Sequence, residues 1–329
     1  LQPRDFINVQ ILYVGIAALT VGLVVAGFSG LQMQAPLFDL EAGAGSPSLG
    51  PLWPFLFTTI ACGAISGFHS MVASGTTTKQ VASERHLKRI GFDAMLLESM
   101  LALLVVVAIG AALSFEDYRA IVHPTMAGAK SNPILGFSLS VGGLLHQAFG
   151  LPAAAGTVFG ILLVEGFVVT TLDAAVRINR YLFEELWSIL FAGQTPRLLR
   201  HPWFNAGLSV LGMWLLAYFN AFSAIWPIFG SANQLLAALA MISVSAWLML
   251  RGRRPYFTLI PAALMLVTTL GTLALLFVRY LENRQYTLLA ADVALVLLGG
   301  SLVVVAFRRL LSGELRPGGG QPAGAAGRP

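Results

Sequence analysis

Long apolar runs constrain this chain more than any other feature of its sequence. Seven stretches of about 20 residues are apolar enough to cross a hydrocarbon layer about 30 Å thick, and an eighth is shorter. Backbone groups in lipid must pair within their own segment, and the runs lack the alternation of barrel strands, so helices are expected. We predict an all-α polytopic membrane protein over residues 1–310. Its predicted spans are 7–30, 52–75, 91–113, 150–172, 204–219, 231–250, 256–279 and 287–307.

The composition agrees with a membrane protein and argues against other classes. Hydrophobic residues make up 57% of the chain and charged residues 11%, a balance that no soluble core requires. The basic residues do not form one patch interleaved with aromatics, so we expect a lipid bilayer and no nucleic acid as partner. The single cysteine, Cys62, argues against a disulfide framework and a thiolate metal site, and no metal or cofactor is expected. The chain opens without a basic segment or a cleavage site, so its first span is not expected to be a signal peptide.

The basic residues also predict the orientation of the chain. If Arg4 is cytoplasmic and eight spans alternate across the bilayer, 16 of the 20 Lys and Arg residues fall on the cytoplasmic side. The four exceptions are Arg119, Lys130, Arg279 and Arg284. A miscounted span would reverse every later loop and destroy this bias. Both termini of this chain are therefore predicted to be cytoplasmic.

Three segments outside the spans have their own signatures. Residues 133–149 are too short and glycine-rich to span, which favours a re-entrant or surface-lying helix. Residues 174–190 mix charges with an apolar face and are typical of an amphipathic cytoplasmic helix. Residues 311–329 are rich in Gly and Pro, which predicts a disordered tail.

The segment 67–80, GFHSMVASGTTTKQ, places polar groups at the end of the apolar span 52–75. Glycines weaken a helix, and hydroxyls can bond carbonyls that unwinding leaves free. We predict a broken helix, of the type that supplies helix ends and free carbonyls to substrates in secondary transporters. The alternative is a cytoplasmic helix end capped by Ser and Thr. The candidate substrate-binding residues are Ser66, Gly67, His69, Ser70, Ser74, Gly75 and Thr76.

Two glycine pairs have the spacing that lets membrane helices approach closely. These are Gly63 with Gly67, and Gly156 with Gly160. Close packing is the simplest interpretation of both pairs.

Ionisable and hydroxyl side chains inside the spans are candidates for ion coupling. Glu98 and Glu165 are expected to face the interior and to mark a proton route, or to be fixed by a neighbouring hydroxyl. Thr170, Thr171 and Asp173 offer oxygen ligands for a hard cation. Capping of the next helix by Asp173 is an equally good interpretation.

Polar residues between 220 and 234 are predicted to form an external connection between two spans. In this interpretation Pro227 and Gly230 make the turn, and Asn233 caps the helix that follows. We therefore favour an architectural role for this segment.

Four segments carry a family resemblance: LQPRDFIN, GAISGFHSMVASGTTTKQ, VVTTLDAAVRINRY and WPIFGSANQLLAALAM. Together they resemble the carbon starvation protein A (CstA) family of bacterial inner-membrane transporters over nearly all of residues 1–310. The resemblance implies uptake of peptides or pyruvate in nutrient-limited cells, coupled to protons or alternatively to sodium. It also implies a fold of five-plus-five inverted repeats (LeuT-like), as in the amino acid–polyamine–organocation superfamily.

On that resemblance the chain is the second half of such a transporter, and its partner is the missing N-terminal repeat. Span 52–75 then corresponds to the sixth core helix, which the fold breaks at the substrate site. Thr170 and Thr171 correspond to the cytoplasmic part of the eighth helix, where sodium-coupled relatives place a cation.

We therefore expect a transporter and not an enzyme. The substrate carboxylate would meet amides and hydroxyls of residues 66–76, with His69 binding the substrate or carrying a proton. Glu98 or Glu165 would relay the coupling proton. One alternative is a membrane subunit or sensor without transport of its own. Another is an intramembrane hydrolase, which is disfavoured because adjacent helical residues such as His69 and Ser70 point apart.

Overall fold

A computed structural model describes residues 3–36, 51–124, 131–219 and 222–311 of the chain. Every regular element within these ranges is helical, which confirms the predicted all-α class. The α-helices are α1 (Pro3–Phe28), α2 (Leu52–Ala64), α3 (Gly67–Val72), α4 (Thr78–Gln80), α5 (Ala94–Ala112), α6 (Phe115–Val122), α7 (Pro133–Phe149), α8 (Ala153–Leu190), α9 (Pro202–Tyr218), α10 (Phe222–Leu250), α11 (Tyr256–Glu282) and α12 (Tyr286–Leu311). Nearly all of the predicted tail, residues 312–329, lies outside the described residues.

Five of the described helices are both long enough and apolar enough to cross a membrane. These are Phe6–Phe28, Glu84–Ala112, Ala153–Leu190, Ile225–Leu250 and Tyr256–Glu282. The other three predicted spans are a broken helix at 52–75, the 17-residue α9, and α12, whose described apolar part is Tyr286–Ser301. The chain is thus a multi-pass membrane protein, and the count of eight spans stays a prediction.

Helix α8 corrects one predicted boundary. The sequence indicated a span at 150–172 followed by a separate amphipathic helix at 174–190, but both belong to one helix of 38 residues. No Gly or Pro follows Gly166 before the helix ends, so the polar residues in its middle do not interrupt it. At about 1.5 Å per residue, α8 is about 57 Å long and exceeds the thickness of the hydrocarbon layer.

The chain divides into two compact units, of which the first comprises Leu1–Asp39 and Lys79–Leu186. Its core forms where α1, α5 and α7 pack together. The predicted helix 133–149 is confirmed as α7, and one of its faces is buried in this core. The Gly156 and Gly160 pair brings α8 against α7, because a Cβ at either position would lie 2.9 Å from an α7 Cα atom. The close packing predicted for this pair is confirmed.

The second unit comprises Leu40–Thr78 and Trp187–Pro329. Its central element is α10, which packs against α2, α3, α11 and α12. Three buried clusters of side chains occur in the described chain, and two of them belong to this unit. The packing of α10 against α2 and α3 positions the candidate substrate site.

Candidate substrate-binding site

The helix that carries the candidate substrate residues is broken. Helix α2 ends at Ala64 and α3 begins at Gly67, and Ser66 between them has an extended backbone (φ −98°, ψ 122°). The Ser66 hydroxyl accepts a hydrogen bond from the backbone N–H of His69 over 3.2 Å. Serine favours this geometry because its side chain supplies the acceptor that the first turn of a helix lacks. The predicted break is confirmed, and it falls at Ile65 and Ser66.

A second irregularity follows one turn later. Residues Ala73–Thr77 form a π-helix, a type of element that is rare and often marks functional sites. Hydroxyl groups bond backbone carbonyls along the whole segment, as the sequence predicted. The pairs are Ser70 with Gly67 (2.6 Å), Ser74 with Met71 (3.2 Å), Thr76 with Val72 (2.8 Å) and Thr78 with Ser74 (2.9 Å).

Asn233 of α10 is hydrogen-bonded to both Ser66 and Phe68 at the break. Its Oδ1 atom accepts hydrogen bonds from the backbone N–H of Phe68 (2.8 Å) and from the Ser66 hydroxyl (3.2 Å). The side chain is 3% exposed, so these bonds form away from solvent. Asn233 is therefore a cap for α3, supplied from a different helix.

This arrangement corrects the prediction for residues 220–234. Helix α10 begins at Phe222 and continues through Pro227, so residues 222–234 are not a turn, and Asn233 does not cap the helix that contains it. Membrane helices tolerate an internal proline because neighbouring groups satisfy the carbonyl that it frees. Gly230 serves packing, since a Cβ there would lie 2.6 Å from the Thr58 carbonyl oxygen of α2. Asn220 of the predicted connection lies outside the described residues.

Gly67 allows the close approach on which the Asn233 cap depends. A Cβ at Gly67 would lie 2.3 Å from the Asn233 carbonyl oxygen and 2.7 Å from the Ala237 nitrogen. By contrast, a Cβ at Gly63 would meet nothing within 4 Å. The predicted close packing of the Gly63 and Gly67 pair is thus confirmed for Gly67 alone.

The bonds at the break determine which donors can meet a ligand. The amides of Phe68 and His69 already donate to Asn233 and Ser66, so a substrate carboxylate would have to displace these acceptors. The Asn233 Nδ2 group is buried and has no hydrogen-bond partner among the described residues. Because Oδ1 is fixed by the Phe68 amide, the orientation of the Asn233 amide is determined. Its N–H groups are thus donors available at the break.

His69 is accessible beside these groups. Its side chain is exposed, and its ring packs edge-on against Phe68 with 5.6 Å between the centroids. The hydroxyls of Ser70 and Ser74 donate to backbone carbonyls and not to the imidazole. Neither Ser70 nor Ser74 therefore donates its hydroxyl to His69, as the nucleophile of a hydrolase would. Gly75 and Thr76 are half-buried within the π-helix.

The candidate coupling residues lie in the first unit. Glu98 on α5 and Glu165 on α8 are both exposed, in contrast to the interior positions that the sequence indicated. The hydroxyls of Thr170 and Thr171 donate to the Phe167 carbonyl over 2.9 and 3.2 Å, and both side chains are exposed.

Asp173 forms an ion pair with Arg177 of the same helix, with 2.8 Å between Oδ2 and Nη2. It lies inside α8 and caps no helix, which corrects that interpretation. Among the described residues, no group of three or more His, Cys, Asp or Glu side chains is placed to hold a metal ion.

Sequence reasoning missed two buried polar groups of the second unit. Asn233 was assigned a local role, although its partner Phe68 is 165 positions away in the sequence. Asp292 is the single acid within the predicted span 287–307, and it is 0% exposed. The signal for Asp292 was present, because ionisable residues inside spans usually face the interior of a bundle.

The fold and the site together define a multi-pass α-helical membrane protein with a helix that is broken in its own span. Comparison with known proteins gives the family. The model of the carbon starvation protein CstA family matches residues 1–128 and 110–272. The chain therefore belongs to the CstA family. No solved structure matches it.

The chain is similar to three named bacterial transporters. It is 30% identical over 325 residues to the peptide transporter CstA of Escherichia coli, covering 82% of this chain and 46% of the relative. Identity to the peptide transporter CstA of Bacillus subtilis is 32% over 304 residues (82% and 49%). Identity to the pyruvate/proton symporter BtsT of Escherichia coli is 30% over 344 residues (84% and 48%). The chain spans about half the length of these curated relatives.

Proposed function

We propose that this chain forms the C-terminal half of a secondary active transporter that imports peptides or pyruvate across the bacterial inner membrane by proton symport. The observation that carries the proposal is the broken helix at Ser66, capped by Asn233 of α10. Membrane transporters use such breaks to present polar backbone and side-chain groups to a solute. The names of the relatives support transport and give no support to an enzyme.

Peptides and pyruvate share one group, a carboxylate, and the break offers chemistry to bind it. The buried Asn233 Nδ2 group lacks an acceptor within the described ranges, and a carboxylate accepts hydrogen bonds from such donors. The partial positive charge of the α3 N-terminus favours an anion at the same place. His69 is exposed one turn into α3, where it would bind the substrate or carry a proton.

Completion of the transporter requires the other five-helix repeat of the inverted-repeat fold. The exposed positions of Glu98 and Glu165 leave both carboxylates accessible to that repeat, where they would relay a proton. If the coupling ion is a metal cation such as Na⁺, Thr170, Thr171 and Asp173 would supply its oxygen ligands. Movement of one helix group against the other would then expose the site to each side in turn. The distribution of Lys and Arg supports a cytoplasmic location for both ends of this chain.

The test is uptake by proteoliposomes that contain the transporter with both halves present. Labelled pyruvate and a labelled dipeptide are compared, with and without a pH gradient that is acidic outside. Accumulation of either substrate only with the gradient supports proton symport and identifies the substrate. Accumulation driven by a sodium gradient would show that sodium, and not the proton, is the coupling ion. Binding without uptake would favour a sensor or a subunit of another transporter.

A further inference from the structure

Asp292 is a buried acid of the second unit. It is 0% exposed, and neither of its carboxyl oxygens has a hydrogen-bond partner within the described part of the chain. It lies six residues after the start of α12, about 9 Å along the helix axis, and so inside the predicted span 287–307. Such an acid requires a physical explanation, because burial of an unpaired charge is strongly unfavourable.

Apolar side chains lie on the same face of α12 as Asp292. Leu288, Leu289 and Leu295 occupy the same face of α12, at positions i−4, i−3 and i+3, and all three pack against one buried cluster. Asp292 therefore faces this cluster too. The buried members of the cluster are Phe55, Ile228, Leu276 and Tyr280.

Tyr280 on α11 is the polar neighbour of Asp292. It is 4% exposed, its hydroxyl also lacks a partner among the described residues, and the charge of Asp292 acts on it. Arg279 acts on the same hydroxyl and is partly exposed. The sequences of α2 and α10, the other helices that contribute to the cluster, contain no acidic or basic residue. At the end of α11, which packs against α12, the ionisable groups are Tyr280, which is buried, Arg279, which is partly exposed, and Glu282, which is exposed.

The chemistry of this pair favours a proton over a metal cation as the ligand. The Tyr280 hydroxyl is not hydrogen-bonded to Asp292, so an ionised Asp292 would be an unpaired buried charge, whereas the neutral acid buries no charge. A hard cation such as Na⁺ would need several further oxygen ligands, which the leucine-rich cluster does not supply.

We propose that Asp292 is a proton-binding site and that its protonation is coupled to movement at the broken helix. This inference rests on the proposed transport function and adds the residue that carries the proton. The cluster that Asp292 faces contains Phe55 of α2 and Ile228 of α10. Helix α2 ends at the break, and Asn233 lies five residues after Ile228. Loss of the proton would place a charge against the packing of both helices that meet at the break, so the two protonation states favour different arrangements there.

The test compares two transport assays on the complete transporter in proteoliposomes. Counterflow exchanges substrate without net proton movement, whereas accumulation driven by a pH gradient requires a proton to be carried. In D292N, which imitates the neutral acid, we expect counterflow to persist and gradient-driven accumulation to fall to the level seen without a gradient. D292E should restore part of the accumulation. The control is E282Q, which removes an exposed acid near the end of α11 and should change neither assay.

Two results would overturn the inference. One is gradient-driven accumulation by D292N at the same level as by the wild type. The other is loss of both assays in a D292N protein that melts at the wild-type temperature, because a proton carrier should not be needed for exchange.

Infrared spectroscopy separates this inference from the proposed function. The wild-type protein should show the C=O stretch of a protonated carboxyl, and D292N should lack that component. If the wild type transports neither pyruvate nor a dipeptide but shows this band, the proposed substrates are wrong and the proton site stands. Absence of the band from the wild type contradicts the proton site whatever the transport result.

Discussion

A single side chain, Asn233, performs two tasks at the break. Its Oδ1 atom satisfies the Phe68 amide and the Ser66 hydroxyl, while its Nδ2 group is buried without a partner among the described residues. The Oδ1 atom therefore has a structural role, whereas the Nδ2 group is available to a ligand. Substitutions that preserve one atom and remove the other can separate the two tasks.

We predict different outcomes for N233A and N233D. Alanine leaves the Phe68 amide without its acceptor, which should lower stability by about 1–3 kcal/mol and abolish uptake. Aspartate keeps an acceptor for the Phe68 amide but places a carboxylate at a position that is 3% exposed, so the melting temperature should fall by less than in N233A. Uptake should nevertheless be lost, because a carboxylate replaces the donor that a substrate anion needs. Thermal melting and substrate counterflow of the complete transporter measure these effects.

The control for the Asn233 variants is S243A, at an exposed position of the same helix. It should leave melting and counterflow unchanged. Normal counterflow by N233D would show that Nδ2 does not contact the substrate.

His69 should matter for transport and little for stability, since its side chain is exposed at the broken helix. We expect H69A to melt at the wild-type temperature and to lose most of its proton-driven uptake. H86A, at an exposed histidine in the 3₁₀ helix Glu84–His86, is the matched control and should transport normally. If H69A and H86A accumulate substrate equally, His69 has no part in the mechanism.

At the scale of helices, the contact between α3 and α10 depends on the absence of a side chain at residue 67. A methyl group in G67A would meet backbone atoms of Asn233 and Ala237, which cannot move as a flexible side chain can. We predict a loss of stability of about 1–3 kcal/mol, together with loss of uptake as the Asn233 cap separates from α3. Thermal unfolding and uptake of the purified variants test this prediction.

G63A provides a strict comparison, because Gly63 belongs to the same sequence motif and its Cβ would meet nothing within 4 Å. It should melt at or slightly above the wild-type temperature, since alanine is the better helix former. Equal destabilisation by both substitutions would mean that the α3–α10 contact is not the reason for Gly67.

Local chemistry explains which features could be predicted from the sequence. The break at Ser66 was predictable because glycines and hydroxyls act on the backbone within a few residues. The cap from Asn233 was not, since it joins helices far apart in the chain. The boundary expected inside α8 was wrong because charged residues there suggested an interface, although nothing in the segment breaks a helix. The burial of Asp292 was predictable, since a lone acid inside a span usually faces the interior of a bundle.

For the molecule as a whole, the distribution of Lys and Arg predicts which loops are cytoplasmic. In a C62A background, a cysteine at Ser83 should react with a membrane-impermeant maleimide only after the cells are permeabilised. A cysteine at Asn283 should react in intact cells, because the connection between α11 and α12 is predicted to be external. Labelling of both positions from the same side would contradict the orientation or the number of spans.

The most direct test of the account is a density map of the complete transporter with pyruvate or a dipeptide bound. We predict that α2 and α3 remain separate helices, and that the substrate carboxylate lies within hydrogen-bonding distance of Asn233 Nδ2 beside Ser66. A continuous helix through residues 64–67, or a substrate bound away from Asn233, would contradict the central claim.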